Sequence, residues 1–421
     1  MSNNSTNIAL ITRTITQNQG NQALSIAWRD FLRRRYPDSK IRLLERVPAY
    51  LKRFTLQTLA ESSDPIAAFD RLAQRLVAKA SGSAAAEPTR VDVEYDFRKK
   101  RSPRFLKFRR LIAFRGLLAK FGYGEKSYLE RLAYICSADL VVVNPAGEFA
   151  PTSTDTPLSY LLEARCAQVA GARTAFVNLS FEVEDRTLAA LSDHVFAQCD
   201  VIEFRDIESA DYLASIGGAA EPIVLPDGAA MSAIERTQSR GGKGLALAIN
   251  ALQARAHGLE DQWDAVIEQL SARGKITLTS NEWTTDFPFW QKYLARDGIE
   301  CDGRTLPYDD YARFLSDFDV VVSSRLHTCV LGLVAGAPVV PVETETFKLT
   351  GFFNMIGMTD EVINTATAGW EDRLLARIEE VAGDRGGRLA LQDRCLAAAR
   401  EHFETVMVDA FGKGLLERRK P

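Results

Sequence analysis

The feature that most limits the fold of this chain is a regular alternation of short apolar runs with helix-like segments. Runs such as Leu140–Val143 and Val320–Ser323 are apolar on both faces, which is typical of strands buried in a parallel sheet. Helix-like segments follow them, as crossover connections between parallel strands require. The alternation therefore predicts an α/β protein built from βαβ units.

The alternation forms two blocks, separated by a stretch at Pro222–Arg240 that is poor in periodic structure. The predicted strands are Ile8–Thr12, Leu140–Val143, Thr174–Leu179, Val201–Phe204, Leu245–Asn250, Lys275–Ser280, Val320–Ser323 and Val339–Val342. One predicted helix begins near Ala23. The other predicted helices cover Pro157–Ala170, Ile207–Ser215, Gln262–Arg273, Pro288–Asp297, Tyr308–Asp317, Thr328–Ala335 and about Trp370–Phe411. We expect two Rossmann-like doubly wound domains, 1–235 and 236–421, that face each other across a cleft, the second ending in a helix that crosses back.

Composition indicates an ordinary globular protein. The 421 residues suffice for two large domains, and 46% hydrophobic with 25% charged residues is close to the globular average. The first residues have no basic leader and no long apolar run, so we expect a cytoplasmic chain. The six cysteines contain no Cys-x-x-Cys pair, which predicts neither a zinc site nor a disulfide framework. We expect no metal and no cofactor.

A basic segment interrupts the first block. Residues 50–130 read as an insertion, and within it Arg98–Lys126 holds eleven Lys and Arg against one acid, Glu125. Phe and Leu residues recur beside these charges at helical spacing, as in a helix that lies on an anionic membrane surface. A basic helix docked on an acidic neighbour fits the same pattern. Nucleic-acid binding has only this segment in its favour, without any reader motif, and is not expected.

A strand-to-helix turn in the second block carries the residues best suited to chemistry. The strand ends at Ser323 and the helix is predicted to start near Thr328, so the turn lies at the carboxyl edge of the sheet. Four residues occupy it: Ser324, Arg325, Leu326 and His327. A helix N-terminus favours an anion beside Arg325, and a histidine can move protons near neutral pH. The same spacing also fits a turn in which Arg325 caps a carboxylate and His327 packs in the core.

Three stretches resemble the polysaccharide pyruvyl transferase family. SSRLHTCVLGLVAGAPVVPVE, followed by the Lys and Gly-Phe of FKLTGFF, resembles the family's C-terminal signature. EFRDIESADYLASIG is similar to its Arg-Asp-x-x-Ser block, and NQGNQAL to its first-strand loop. The resemblance covers most of the chain but not the insertion at about 50–130.

The resemblance implies a glycosyltransferase-B-like fold and an enzyme that transfers pyruvate from phosphoenolpyruvate to sugar hydroxyls in polysaccharide or exopolysaccharide biosynthesis. It places Arg205, Arg325 and His327 around phosphoenolpyruvate. Because a histidine can deliver and remove protons near neutral pH, we expect His327 to be the proton carrier in ketal formation. Two guanidinium forks suit a donor with a carboxylate and a phosphate. The other predicted substrate-binding residues are Ser324, Leu326, Lys348, Asn18, Gly20, Asn21, Gly147 and Glu148. Lys348 would neutralise the leaving phosphate, unless it pairs with Glu343 or Glu345.

Two departures from the family pattern indicate either a different acceptor or a homologue that has diverged from pyruvyl transfer. Asn21 stands where an acid is usual, and the loop after Leu140–Val143 is NPAGEF, with Gly147 in place of a glycine cluster. Glu148 is expected either to bind a sugar hydroxyl, or to cap a helix or face solvent. The acceptor is expected to be a sugar or a lipid-linked oligosaccharide at the cytoplasmic membrane face.

Two other functions remain open on the sequence. A glycosyltransferase of the same fold with a nucleotide-sugar donor fits equally well, although the Asp-x-Asp at Asp317 and Asp319 precedes its strand rather than following it. A non-catalytic polysaccharide-binding or membrane-binding scaffold is disfavoured, because both arginines and His327 are present.

The basic segment leads to a testable prediction. We expect reversible binding to anionic liposomes through Arg98–Lys126, with about 1 kcal/mol at most from each basic residue near the surface. Co-sedimentation should rise with anionic lipid and fall with added salt, because salt screens these charges. Changing Arg98–Arg101 to Ser should abolish binding, and equal recovery in the supernatant with and without anionic vesicles would contradict the prediction.

Overall fold

The structure is a computed structural model that describes residues 6–13, 18–45, 49–82, 124–236, 241–304, 306–344 and 347–417. The described residues group into two compact units. The first unit takes in those within Met1–Thr14, Trp28–Leu225 and Val406–Pro421, and the second those within Ile15–Ala27 and Pro226–Thr405. The loop that contains Asn18 and Gly20 therefore groups with the second unit, although it follows the first strand of the chain.

The first unit is built on a six-stranded parallel sheet of order β2-β1-β3-β4-β5-β6. Its strands are β1 (Asn7–Thr12), β2 (Lys40–Glu45), β3 (Leu140–Val143), β4 (Arg173–Leu179), β5 (Val201–Phe204) and β6 (Ile223–Val224). The described helices of this half are α1 (Gln19–Arg35), α2 (Leu56–Ala60), α3 (Pro65–Ser81), α4 (Glu125–Ser137), α5 (Asp155–Val169), α6 (Arg186–Phe196) and α7 (Ile207–Ser215). The strand order reverses between β1 and β3, which is the usual place for ligands in an open α/β sheet.

The second unit repeats this architecture with the order β12-β11-β10-β7-β8-β9, again parallel throughout. Its strands are β7 (Leu245–Ala248), β8 (Ile276–Leu278), β9 (Ile299–Cys301), β10 (Val320–Ser323), β11 (Val339–Glu343) and β12 (Ile363–Asn364). Its described helices are α8 (Ala251–Ala256), α9 (Glu260–Arg273), α10 (Trp283–Trp290), α11 (Tyr308–Ser316), α12 (Leu326–Ala335), α13 (Lys348–Met355), α14 (Trp370–Gly383) and α15 (Arg385–Ala410). Here the order reverses between β7 and β10.

Each unit has its own hydrophobic core. In the first, Phe181 stacks on Phe204 with ring centroids 6.0 Å apart, and Phe196 packs edge-on against Phe181 at 5.4 Å. In the second, Trp263 and Trp370 are both buried with ring centroids 5.0 Å apart. Full burial of such side chains is worth about 1.5–3 kcal/mol each, so the two sheets are rigid supports for the loops at their edges.

The structure confirms the predicted class, two doubly wound parallel α/β domains. β3, β5 and β10 have the predicted bounds, because a continuous apolar run specifies a buried strand. The helix predicted at Pro288–Asp297 is wrong: α10 begins five residues earlier with Pro288 inside it, and a 3₁₀ turn follows at Gln291–Tyr293. Four strands, β2, β6, β9 and β12, were not predicted.

The insertion is only partly described. Its helices α2, α3 and α4 pack on the first core. Of the basic segment predicted to contact a membrane, Arg98–Lys126, residues 98–123 lie outside the described residues. No described helix is long and apolar enough to cross a membrane.

Candidate functional site

The turn after β10 lies where the strand order of the second sheet reverses. Ser323 ends β10 and α12 begins at Leu326, two residues earlier than predicted. The Ser324 hydroxyl accepts the N–H of Asn250, which follows β7, at 2.7 Å. This bond ties the two strands together at the switch point. The predicted residues Ser324, Arg325, Leu326 and His327 therefore lie at the edge where open α/β sheets usually bind ligands.

Arg325 is held by two carboxylates. Its Nε donates to Asp286 Oδ2 at 3.0 Å and its Nη2 donates to Asp286 Oδ1, in a bidentate pair. Its Nη1 donates to Glu282 Oε2 at 3.1 Å. The Asp286 side chain is fully buried, whereas the Glu282 side chain is 33% exposed. Arg325 thus pairs with a carboxylate, as the purely structural interpretation of the turn predicts. Its second partner, Glu282, is accessible to solvent.

Asp286 has more than one role. Besides Arg325, it accepts the N–H of Ala251 at 3.0 Å and the hydroxyl of Ser280 at 2.5 Å. These donors begin α8 and follow β8, so one buried carboxylate ties three loops of the edge together. A buried charge is stable only when it is paired and hydrogen-bonded, and this one satisfies both conditions.

The loop predicted to bind substrate caps helix α1. Asn18 Oδ1 accepts the N–H groups of Gly20 and Asn21 at 3.0 and 3.3 Å, so Asn18 is the N-cap residue. Asn281 reaches the same cap: its Nδ2 donates to Asn18 Oδ1 at 3.1 Å, and its carbonyl accepts the N–H of Gln19 at 3.2 Å. These bonds place the first turn of α1 at the edge of the second sheet, and Asn21 is buried there.

His327 lies against the same turn of α1. A Cβ added to Gly20 would lie 2.0 Å from Cγ and Nδ1 of the imidazole, so no other residue fits at this position without displacing the ring. The other ring nitrogen, Nε2, is 3.5 Å from Oδ2 of Asp227. The structure therefore brings together Asn18, Gly20, Arg325 and His327, all from the second unit.

Lys348 is not in a loop as predicted, because it is the first residue of α13. The carboxylate of Glu343 accepts the N–H groups of Leu349 and Thr350, in the first turn of this helix, at 2.7 and 3.1 Å. Glu343 is thus a helix cap, as its place at the end of β11 allows. Glu345 lies outside the described residues.

Arg205 lies in the first unit, at the end of β5. Its Nε donates to the Ser180 hydroxyl at 2.7 Å, and Ser180 donates to Asp206 Oδ2 at 2.6 Å. Asp206 also caps α7 through the N–H of Ser209 at 2.9 Å. Arg205 is 4% exposed. The Arg-Asp-x-x-Ser block therefore builds a buried network that fixes the guanidinium.

The loop after β3 lies at the switch point of the first sheet. Glu148 accepts a hydrogen bond from Arg13, which follows β1, so the two residues bridge the strands between which the order reverses. Gly147 lies in the turn closed by the N–H of Glu148 on the carbonyl of Pro145, at 3.3 Å. Whether Glu148 binds a sugar hydroxyl stays a prediction.

Two residues beside His327 are excluded as reactive groups. Burial raises the pKa of the Cys329 thiol, so it stays protonated and unreactive. Burial also raises the pKa of Tyr311, while its hydrogen bond to Thr328 lowers it by less.

The sequence matches the model of the polysaccharide pyruvyl transferase family over residues 18–346. The match begins at the N-cap of α1 and contains Arg205, Arg325 and His327. This chain belongs to the polysaccharide pyruvyl transferase family. It is therefore a transferase, as the resemblance predicted, and Lys348 lies just beyond the matched range.

Solved structures are similar to this pyruvyl transferase family member only in outline. A complex of MnaA from S. aureus with UDP has a TM-score of 0.49 at 11% identity, over 94% of each chain. A putative UDP-N-acetylglucosamine 2-epimerase from Listeria monocytogenes has a TM-score of 0.48 at 10% identity, over 95% of this chain and 97% of that one. HepE of Anabaena in complex with UDP has a TM-score of 0.48 at 11% identity, over 96% of this chain and 97% of that one. No curated protein matches the sequence.

The Asp-x-Asp pair does not face the candidate site of this family member. Asp319 accepts the N–H groups of Gly242 and Gly244 at 2.8 and 3.0 Å, and Asp317 pairs with Lys243. These contacts lie at the amino end of β10, opposite to the turn with Arg325. Within the described ranges, no group of three or more His, Cys, Asp or Glu could hold a metal ion.

Sequence reasoning missed three acidic residues of the site: Asp227, Glu282 and Asp286. Asp227 stands in LPDGAA, where an Asp before a short 3₁₀ turn is a capping signal. Glu282 and Asp286 fall in the stretch where the start of α10 was predicted too late. No local pattern connects any of them with Arg325 or His327.

The different burial of the two partners of Arg325 leads to a prediction. Asp286→Ala should lower the free energy of unfolding by roughly 3–5 kcal/mol, because it leaves a buried guanidinium without its partner. Glu282→Ala should cost at most about 1 kcal/mol, because that pair is partly solvated. Urea denaturation followed by circular dichroism measures both, and equal losses would contradict the assignment of Asp286 as the anchor.

Proposed function

We propose that this protein transfers pyruvate from phosphoenolpyruvate to hydroxyl groups of a glycan or glycan precursor, forming a pyruvyl ketal. The observation that carries the proposal is the pairing of Arg325 and His327 on one turn at the switch point of the second sheet, in a chain of the pyruvyl transferase family. A fixed positive charge and a proton carrier, side by side, suit a donor that is anionic and must be protonated.

The donor side is supported by the chemistry of the turn. A guanidinium has five N–H donors, and the bonds from Arg325 to its two carboxylates use three of them. Arg325 is also the N-cap residue of α12 and makes no capping hydrogen bond with its side chain. The amides and positive dipole end of this ten-residue helix therefore favour an anion beside Arg325. Lys348, at the start of α13, would add charge near the leaving phosphate.

In the proposed reaction, C3 of phosphoenolpyruvate gains a proton and C2 gains a bond to the first sugar oxygen. The bond between C2 and the phosphate oxygen then breaks, and the second sugar oxygen adds to C2. Of the two hydroxyl protons, one ends on the new methyl group and the other leaves with the phosphate. His327 moves the proton between the hydroxyl and the donor, and Arg325 holds the anionic donor in place.

Two further assignments belong to the proposal. Arg205, fixed by Ser180 in the first unit, would provide the second guanidinium for the donor. Glu148 would bind the acceptor hydroxyl. The acceptor would be a sugar or a lipid-linked oligosaccharide, and the enzyme would work in the cytoplasm at the membrane face.

Ligand-induced stabilisation tests the donor. Phosphoenolpyruvate at a hundredfold excess over Kd should stabilise the protein by about 2.7 kcal/mol, and nucleotide sugars should do much less. Arg325→Lys should lose most of the thermal shift, because an ammonium cannot replace a bidentate fork. The exposed Arg304→Lys is the matched control and should retain it. A shift with a nucleotide sugar and none with phosphoenolpyruvate would favour the glycosyltransferase alternative.

Kinetics test the proton carrier. His327→Asn should lower kcat by about 10² to 10⁴, the usual contribution of a general acid or base, while the thermal shift with phosphoenolpyruvate remains. The exposed His402 offers a control, and His402→Asn should leave kcat unchanged. An unfolded His327→Asn protein would support the interpretation of His327 as a core residue instead.

A further inference from the structure

The imidazole of His327 has different surroundings at its two nitrogens. Nε2 is buried and makes no hydrogen bond with the part of the chain that the structure describes. The nearest carboxylate oxygen that it faces is Oδ2 of Asp227, at 3.5 Å. Gly20 lies against Cβ, Cγ and Nδ1 of the same side chain. A buried ring nitrogen without a partner is costly, so its position facing a carboxylate calls for an explanation.

Asp227 is itself held firmly. Its side chain is 1% exposed, and its Oδ1 accepts the N–H of Ala229 at 2.9 Å at the start of a 3₁₀ turn. Because this bond fixes the rotation of the carboxylate, the other oxygen, Oδ2, is directed toward His327. The carboxylate therefore has a capping oxygen and an oxygen that faces the imidazole.

Gly20 packs directly against the ring. The Cβ of any other residue would lie 2.4 Å from Cβ of His327 and 2.0 Å from its Cγ and Nδ1. The first turn of α1 therefore supports the imidazole only because residue 20 has no side chain. The tautomer is then decided by what Nε2 faces.

We propose that Asp227 is the positioning residue of His327, whose carboxylate accepts the Nε2–H and keeps Nδ1 unprotonated for the substrate proton. The inference rests on the proposed function, in which His327 moves a proton. A neutral imidazole has one donor nitrogen and one acceptor nitrogen, and the nitrogen beside a buried carboxylate is the donor. The 3.5 Å separation is long for a hydrogen bond, as catalytic bonds often are before substrate binds.

The role has a chemical consequence. When Nδ1 takes the hydroxyl proton, the imidazole becomes a cation beside the ionised carboxylate of Asp227. In this role Asp227 acts only through His327.

Two substitutions separate positioning from simple capping. In Asp227→Asn, the amide oxygen can still accept the N–H of Ala229, which turns the amide NH₂ toward His327. That group donates to Nε2 and places the proton on Nδ1, so kcat should fall about 10² to 10⁴-fold, as with the loss of the base itself. Asp227→Ala leaves both tautomers accessible and should lose less activity. A purely structural role gives the reverse order, because Asn preserves the cap and Ala does not.

A spectroscopic measurement on the unaltered protein keeps the test independent of folding defects and of the donor. The chain has four histidines, so ¹⁵N-histidine labelling with His327→Asn as the assignment control reports the tautomer of His327. We expect Nε2–H in the unaltered protein and Nδ1–H in Asp227→Asn. An Nδ1–H tautomer in the unaltered protein, or a larger loss of kcat in Asp227→Ala than in Asp227→Asn, would overturn the proposal.

The control for capping is Asp185, which accepts the N–H of Leu188 at 2.9 Å and starts α6 in the first unit. Asp185→Asn should leave kcat and the His327 tautomer unchanged. If the unaltered enzyme fails to turn over phosphoenolpyruvate, the proposed function fails, while the tautomer measurement still decides the role of Asp227.

Discussion

The candidate site depends on a single buried carboxylate. Asp286 joins the start of α8, the loop after β8 and the turn after β10, because Ala251, Ser280 and Arg325 all donate to it. Removing a carboxylate from water costs several kcal/mol, so the chain must satisfy it completely or lose stability. The result is an Arg325 whose orientation is determined before any ligand arrives. Such preorganisation avoids the entropy of ordering a long side chain at the moment of binding.

Charge pairing fixes the orientation of Arg325, whereas close packing fixes that of His327. The absence of a side chain at Gly20 lets the first turn of α1 lie directly on the imidazole, and Asp227 faces its Nε2. Asn18 holds that turn in place through Asn281, which follows β8. The arginine and the histidine are therefore neighbours in sequence that are fixed by unrelated parts of the second unit.

The first unit has two non-glycine residues with left-handed backbone near the carboxyl edge of its sheet. Ala146 and Asn178 have φ values of 54° and 55°, in the left-handed region that non-glycine residues seldom adopt. The first lies in the loop after β3 and the second lies near the end of β4. Ser180 donates its N–H to the carbonyl of Ala146 at 3.0 Å and accepts from Arg205 through its hydroxyl. Strain of this kind persists only where surrounding bonds enforce it, and it concentrates at binding sites.

The sequence by itself determined the α/β class and the turn that bears Arg325 and His327. The apolar runs of β3, β5 and β10 specify buried parallel strands without reference to the rest of the chain, and the turn follows from where β10 ends. Short edge strands such as β6 and β12 escaped prediction, because two residues carry no periodic pattern. The start of α10 escaped as well, since Pro288 inside it looks like a helix start.

Only the tertiary structure decided what surrounds the two catalytic candidates. Asp286 and Glu282 lie 39 and 43 residues before Arg325, and Gly20 and Asp227 are likewise distant in sequence from His327. Local propensity and periodicity describe neighbours along the chain, whereas these contacts exist because parallel strands bring their carboxyl ends to one edge. Which carboxylate reaches a given arginine or histidine depends on packing at that edge, and no local sequence pattern encodes it.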